Sequence, residues 1–105
     1  MRYLLNSAVI RAPGVYEYRL ITPKEAAAFV RSGGWESRIG YPQTAAHIET
    51  ISGVRPSLSR EATVMRPGDV ALVVRLRYRV TDPSRKGETL PVRPDDWEYG
   101  LLSSR

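Results

Sequence analysis

Arg75, Arg77 and Arg79 stand at every second position of an otherwise apolar run, Val70–Val80. Side chains alternate across a strand, so these guanidiniums share one face at a spacing of about 6.6 Å. That spacing roughly matches successive phosphates along a nucleic-acid strand. Arginine's planar fork can hold a phosphate through two parallel N–H groups, which lysine's point charge cannot do. Val70, Leu72, Val74, Leu76, Tyr78 and Val80 make the opposite face apolar. The row reads either as a phosphate rail or as a solvated sheet edge whose basic side chains deter aggregation.

Two further segments have the residue types of a binding site. In Gly40-Tyr41-Pro42-Gln43-Thr44 a glycine precedes a proline suited to the first position of a helix. The free N–H groups and positive dipole end of a first helical turn favour an anion, and glycine lets a ligand approach closely. An ordinary loop-to-helix junction has the same composition. Asn6-Ser7 interrupts the apolar run Tyr3–Ile10. Polar groups in a buried run cost free energy unless hydrogen-bonded, so the pair marks a site or a structural bond. His47 falls in mid-helix and reads as a surface or half-buried residue.

Other chemistries are excluded by composition. The chain has no cysteine, which removes disulfides, thiolate metal sites and thiol nucleophiles. With a single histidine, paired-histidine metal sites and most Ser-His-Asp arrangements lack support, and neither a metal nor a cofactor is expected. Lys+Arg exceed Asp+Glu by 16 to 11, a net charge of +5, and arginine greatly outnumbers lysine. This balance fits an anionic partner or simply a basic, soluble surface. No apolar run approaches the roughly 20 residues of a membrane-spanning helix, and Met1-Arg2-Tyr3 leads straight into a strand-like run rather than a signal sequence. No membrane association and a cytoplasmic location are expected.

The elements that must position these residues follow from local pattern. Residues 1–105 read as one α/β domain, a mixed β-sheet flanked by helices. Tyr3–Ile10 is a buried strand, Arg11–Gly14 a turn, and Val15–Ile21 the second arm of a hairpin. Thr22 caps the first helix, Pro23 takes its first position and Glu25 completes a capping box. Ala26, Phe29 and Val30 face inward, and Ser32-Gly33-Gly34 ends the helix. Trp35–Ile39 is a short strand end or loop. The second helix runs through Ala45–Ser52 to a stop at Gly53, with Ala45, Ile48 and Ile51 inward. Ser59–Met65 is expected as a strand, Arg66–Asp69 as a tight turn, Thr81–Pro91 as an exposed loop and Trp97–Leu102 as a final strand.

Taken in order, Tyr3–Ala8, Ile39–Ala45, Arg60, Gly68-Asp69 and Val73–Val80 resemble a family of small viral and mobile-element proteins. The family includes the viral ring nucleases, type III anti-CRISPR proteins that degrade cyclic tetra-adenylate. The resemblance spans roughly residues 3–82. It implies a homodimer with a cyclic oligonucleotide held at the interface. In active members a ribose 2′-hydroxyl attacks its neighbouring phosphodiester, without a metal, while an acid protonates the departing 5′ oxygen. Asn6, Arg60 and Arg79 match the family's site. Tyr41 stands where active members have the catalytic histidine, and Asp82 where they have glutamate, followed by an apparent insertion at Pro83–Lys86.

The expected catalytic positions are therefore Tyr41 and Asp82. The expected ligand-binding residues are Asn6, Ser7, Gly40, Thr44, Arg60, Arg75, Arg77 and Arg79. Imidazole titrates near pH 6.5 and phenol near 10, so Tyr41 is the poorer proton donor and cleavage is expected to be slow or absent. The competing readings are a DNA- or RNA-binding regulator of a mobile element, resting on net charge and arginine content, and a protein-interaction subunit.

Overall fold

Thr22 opens the first helix as its side chain dictates. In the computed structural model, which describes residues 1–7, 13–76 and 96–105, its hydroxyl accepts from the Glu25 N–H at 3.1 Å. The Glu25 carboxylate in turn accepts from the Thr22 N–H at 3.3 Å. This reciprocal box starts α1 (Pro23–Ser32), and Gly33, with φ +69°, ends it. The second helix, α2 (Pro42–Ser52), has Pro42 in its first turn and stops at Gly53 in the left-handed conformation.

The strands are β1 (Arg2–Leu5), β2 (Tyr16–Leu20), β3 (Trp35–Arg38), β4 (Val70–Leu76) and β5 (Trp97–Ser104). They form one mixed sheet in the order β2-β5-β4-β1-β3. β1 runs parallel to both β3 and β4, with Leu5 opposite Arg38 on one side and Val73 on the other. β5 is antiparallel to β4 and to β2. The interior position of β1 follows from its sequence, because Leu4 and Leu5 point to opposite faces and both are buried. Ala71–Val74 of β4 are buried on both faces for the same reason.

Both helices cover one face. Ala26 and Val30 of α1 and Ala45 and Ile48 of α2 meet Leu4, Leu72, Val74, Trp97 and Tyr99 there. A smaller cluster on the other face gathers Tyr3, Leu5, Ala71, Val73 and Leu102 with Met65. The turn before β4 is tight as expected, with the Asp69 N–H bonded to the Arg66 carbonyl and the Asp69 carboxylate accepting the Arg66 N–H, both at 2.9 Å.

Two expectations are corrected. β2 does not form a hairpin with β1; it lies at the far edge of the sheet, paired to β5 from Tyr16 opposite Ser104 to Leu20 opposite Gly100. Both edges of β1 are occupied by β3 and β4, and the exposed residues of β2 suit an outer strand. Ser59–Met65 is not a strand. Residues 53–66 run alongside β3 with a single bridge, Leu58 to Ile39, fixed by the Ser59 N–H on the Ile39 carbonyl at 2.9 Å. Within Ser59–Met65 Val64 remains exposed and only Met65 is buried, so the stretch has no apolar face to set against the sheet. Thr81–Pro91 and the last residues of the Val70–Val80 run lie outside the described residues.

Candidate functional site

The parallel pairing of β1 and β3 brings their carboxyl ends to one rim of the sheet. In open α/β sheets this is where ligands are commonly held. Asn6 and Ser7 follow β1 directly, and Ile39, Gly40 and Tyr41 carry the chain from β3 into α2. The 53–66 segment closes the third side with Ser59, Arg60 and Glu61. These walls enclose an open cleft of about 350 Å³, to which Asn6, Ser7, Arg38, Gly40, Tyr41 and Arg60 all contribute.

Asn6 fixes the geometry of the floor. Its side-chain oxygen accepts the Gly40 N–H at 3.0 Å, joining the end of β1 to the approach to α2. A Cβ placed on Gly40 would meet the Arg60 side chain at 3.6 Å and Asn6 Oδ1 at 3.9 Å, ordinary contacts. Gly40 is therefore not demanded by backbone strain. Its missing side chain keeps the cleft open between Asn6 and Arg60.

The two helix starts differ. α1 is closed by its capping box, whereas Tyr41, the residue that precedes the first turn of α2, makes no side-chain cap bond. Pro42 has no N–H, and the first turn of α2 carries no acidic residue. An uncapped helix start of this kind presents a positive dipole end. Tyr41 is 59% exposed at the cleft. Thr44 lies in the same first turn but is buried against the core, outside the cleft lining.

Arg38, which the sequence reading did not single out, forms part of the wall. Its side chain is only 18% exposed. Nη1 donates to the Ser37 carbonyl at 3.1 Å and Nη2 to Glu36 at 2.8 Å. Its Nε–H is buried without an acceptor among the described residues. An unsatisfied buried donor costs roughly 1–3 kcal/mol. The alternation Glu36/Arg38 against Ser37/Ile39 is the sequence signal for Arg38, and it is short because β3 has only four residues. Ser59 and Glu61 have no local signal, because the position of their segment is set by tertiary contact with Ile39.

Arg75 is placed elsewhere. Its Nε donates to Glu98 at 2.7 Å across the β4–β5 pair, and the Tyr18 hydroxyl donates to the same carboxylate oxygen at 2.9 Å. Arg75 is thus ion-paired on the sheet and does not line the cleft. Arg77, Arg79 and Asp82 lie outside the described residues. His47 stacks flat on Trp97, with ring centroids 4.2 Å apart, and shares a 2.5 Å hydrogen bond with the Tyr99 hydroxyl. Burial pushes its imidazole below the ordinary histidine range and the Tyr99 phenol above the ordinary tyrosine range. It is half-buried and contributes nothing to the cleft wall.

Among the described residues no helix is long and apolar enough to cross a membrane, and no His, Cys, Asp and Glu side chains cluster as metal ligands. No curated protein matches the chain. Among solved structures it is similar to B116 of Sulfolobus turreted icosahedral virus (STIV), with a TM-score of 0.72 over 97% of each chain at 15% identity. At that identity the likeness shows a shared fold. The sequence profile described as STIV B116-like matches residues 2–90. The chain belongs to the STIV B116-like family.

Proposed function

We propose that the protein binds a cyclic oligoadenylate, cyclic tetra-adenylate in the simplest case, at the interface of a homodimer. It acts there as a slow metal-free ring nuclease or as a non-cleaving sequestrant in type III CRISPR signalling. The observation that carries this reading is the convergence of Asn6, Ser7, Gly40, Tyr41 and Arg60 on one cleft, from three separate stretches of a B116-like chain. Asn6, Arg60 and the position of Tyr41 correspond to the residues that the family resemblance assigns to the ring nuclease site.

The size of the cleft supports a dimer. About 350 Å³ lies at the low end of the roughly 300–1,000 Å³ of small-molecule sites, space for about one nucleotide. A four-nucleotide ring exceeds one such cleft, and a second cleft facing the first would take the opposite side of the ring. Arg60 supplies charge to a phosphodiester, and the uncapped start of α2 adds a dipole of the same sign. Thr44, buried in that first turn and outside the cleft lining, is not assigned a direct contact to the ligand. Arg75 is assigned a weaker role, since its Nε is already ion-paired to Glu98. Arg79 and Asp82 keep the ligand-binding and catalytic roles implied by the family resemblance, and Arg77 keeps the phosphate-binding role that its place in the alternating arginine row gives it.

In the cleavage step the ribose 2′-hydroxyl releases its proton to solvent as its oxygen forms a bond to phosphorus, and the bond to the 5′ oxygen breaks. The leaving oxygen takes a proton from an acid, and a 2′,3′-cyclic phosphate remains. Tyr41 is the group at the cleft able to donate that proton. A phenol does so less readily than an imidazolium near neutral pH, so turnover is slow. A panel of cyclic and linear oligonucleotides tests the reading. Saturable binding of one cyclic species supports it. Binding that grows with duplex length and falls steeply with salt replaces it with a nucleic-acid-binding regulator.

A further inference from the structure

The two arginines of the cleft are held in different ways. Arg60 is exposed. Arg38 is sunk into the wall, and its donors are unevenly satisfied. Ser37 and Glu36 take one N–H from each terminal nitrogen. Glu61, which shares the cleft wall, approaches Nη2 only to 3.7 Å, beyond hydrogen-bond length. Nε has no acceptor among the described residues. Buried guanidiniums normally have their donors filled, whereas here Nε is unfilled and Glu61 comes no nearer to Nη2 than ion-pair distance. Glu61 is itself 77% exposed, so it is held loosely and leaves at little cost.

We infer that Arg38 is a second phosphate-binding residue of the cleft and that Glu61 is its resident counter-ion, displaced by an incoming phosphodiester. A phosphate has the oxygen geometry to take two N–H groups from one edge of a guanidinium, which a carboxylate at 3.7 Å does not. Glu61 then acts as a selectivity filter: an anion enters only if it bonds Arg38 better than Glu61 does. The inference rests on the reading of the cleft as a phosphodiester site.

The test follows the Arg Nε–H resonances of the ¹⁵N-labelled protein during titration with inorganic phosphate and, separately, with cyclic tetra-adenylate. The variants Glu61→Gln, Arg38→Lys and Arg38→Gln are titrated in parallel. The expected result is a shift of the Arg38 Nε–H on titration, with binding about two- to fivefold tighter in Glu61→Gln and about ten- to a hundredfold weaker in Arg38→Gln. Arg38→Lys retains charge but not the fork and falls between. The Glu61 effect disappears in the double variant, because the two residues act as one unit. If Arg38→Gln fails to fold, the Glu61→Gln affinity and the parent resonance decide the matter.

A ring that binds with no dependence on Arg38 or Glu61 overturns the inference and leaves the functional reading standing. Phosphate that shifts Arg38, with the ring not binding at all, overturns the ring reading and sustains the role of Arg38. Binding of neither probe overturns both.

Discussion

Asn6 Oδ1 and the Gly40 N–H meet at 3.0 Å, and this bond sets the distance between the end of β1 and the start of α2. Replacing Asn6 by alanine leaves a partly buried N–H unpaired, and unfolding titration should show a loss of about 1–3 kcal/mol. Asn6→Asp keeps an acceptor in place, so it should retain most of the stability. The added carboxylate should nevertheless weaken anion binding at the cleft at least tenfold. Equal effects of the two variants on stability would show that the bond is unimportant.

Gly100 lies directly under the Tyr18 ring across the β2–β5 pair. A Cβ on Gly100 would stand 2.3 Å from the Tyr18 ring. Gly100→Ala must therefore swing the partly exposed ring outward and break its bond to Glu98, costing about 0.5–1.5 kcal/mol. Chemical denaturation measures this, and tyrosine fluorescence should report the displaced ring. Arg75 is half-exposed but its partner Glu98 is only 16% exposed, so Arg75→Ala leaves a largely buried carboxylate with one charge partner fewer and should cost about 1–3 kcal/mol.

His47 predicts a specific pH dependence. Its folded-state affinity for protons is lowered by burial against Trp97 and Tyr99. The unfolded chain therefore binds the proton more readily, and stability falls as pH drops below about 6.5. The melting temperature should decline between pH 7 and pH 5, and His47→Gln should flatten that limb. A decline of equal slope in the variant would assign it to another group.

Asp69 adds a second, more acidic limb. Its carboxyl is held below the ordinary carboxylate range, chiefly by the Arg66 N–H and then by the N-terminal ammonium at 2.9 Å. A depressed carboxyl stabilises the fold above its unfolded pKa, near 3.9, and that contribution is lost as pH falls through the lower folded value. Asp69→Asn should remove this loss from an acid titration of stability.

The legible parts of the fold were those with local chemistry. Thr22, Pro23 and Glu25 specify a helix start within one turn, and Gly53 and the Arg66–Asp69 turn are specified as locally. Strand partnership was not legible. Val15–Ile21 shows where a strand lies but not that β5, eighty residues on, is its neighbour. Ser59–Met65 reads locally as a strand, yet only tertiary placement decides whether such a segment joins a sheet. The cleft was legible where it rests on Asn6, Gly40 and Tyr41. It was hidden at Arg38 and Glu61, whose meeting depends on residues 53–66 folding back along β3.

Tyr41 is the point at which binding and catalysis separate. Tyr41→His should raise cleavage of a bound ring, with a positioned acid contributing about 10²–10⁴-fold in rate, and should leave affinity within a few-fold. Tyr41→Phe should leave affinity nearly unchanged and remove residual cleavage. Rapid cleavage by the parent would assign tyrosine an efficiency that its ordinary chemistry does not suggest.

Calorimetric titration of the intact protein with cyclic tetra-adenylate tests the central claim most directly, because it yields affinity and stoichiometry together. The account predicts saturable, sub-micromolar binding of one ring per two chains, weakened about ten- to a hundredfold by Arg60→Ala. One ring per single chain, or no binding at any accessible concentration, would contradict it.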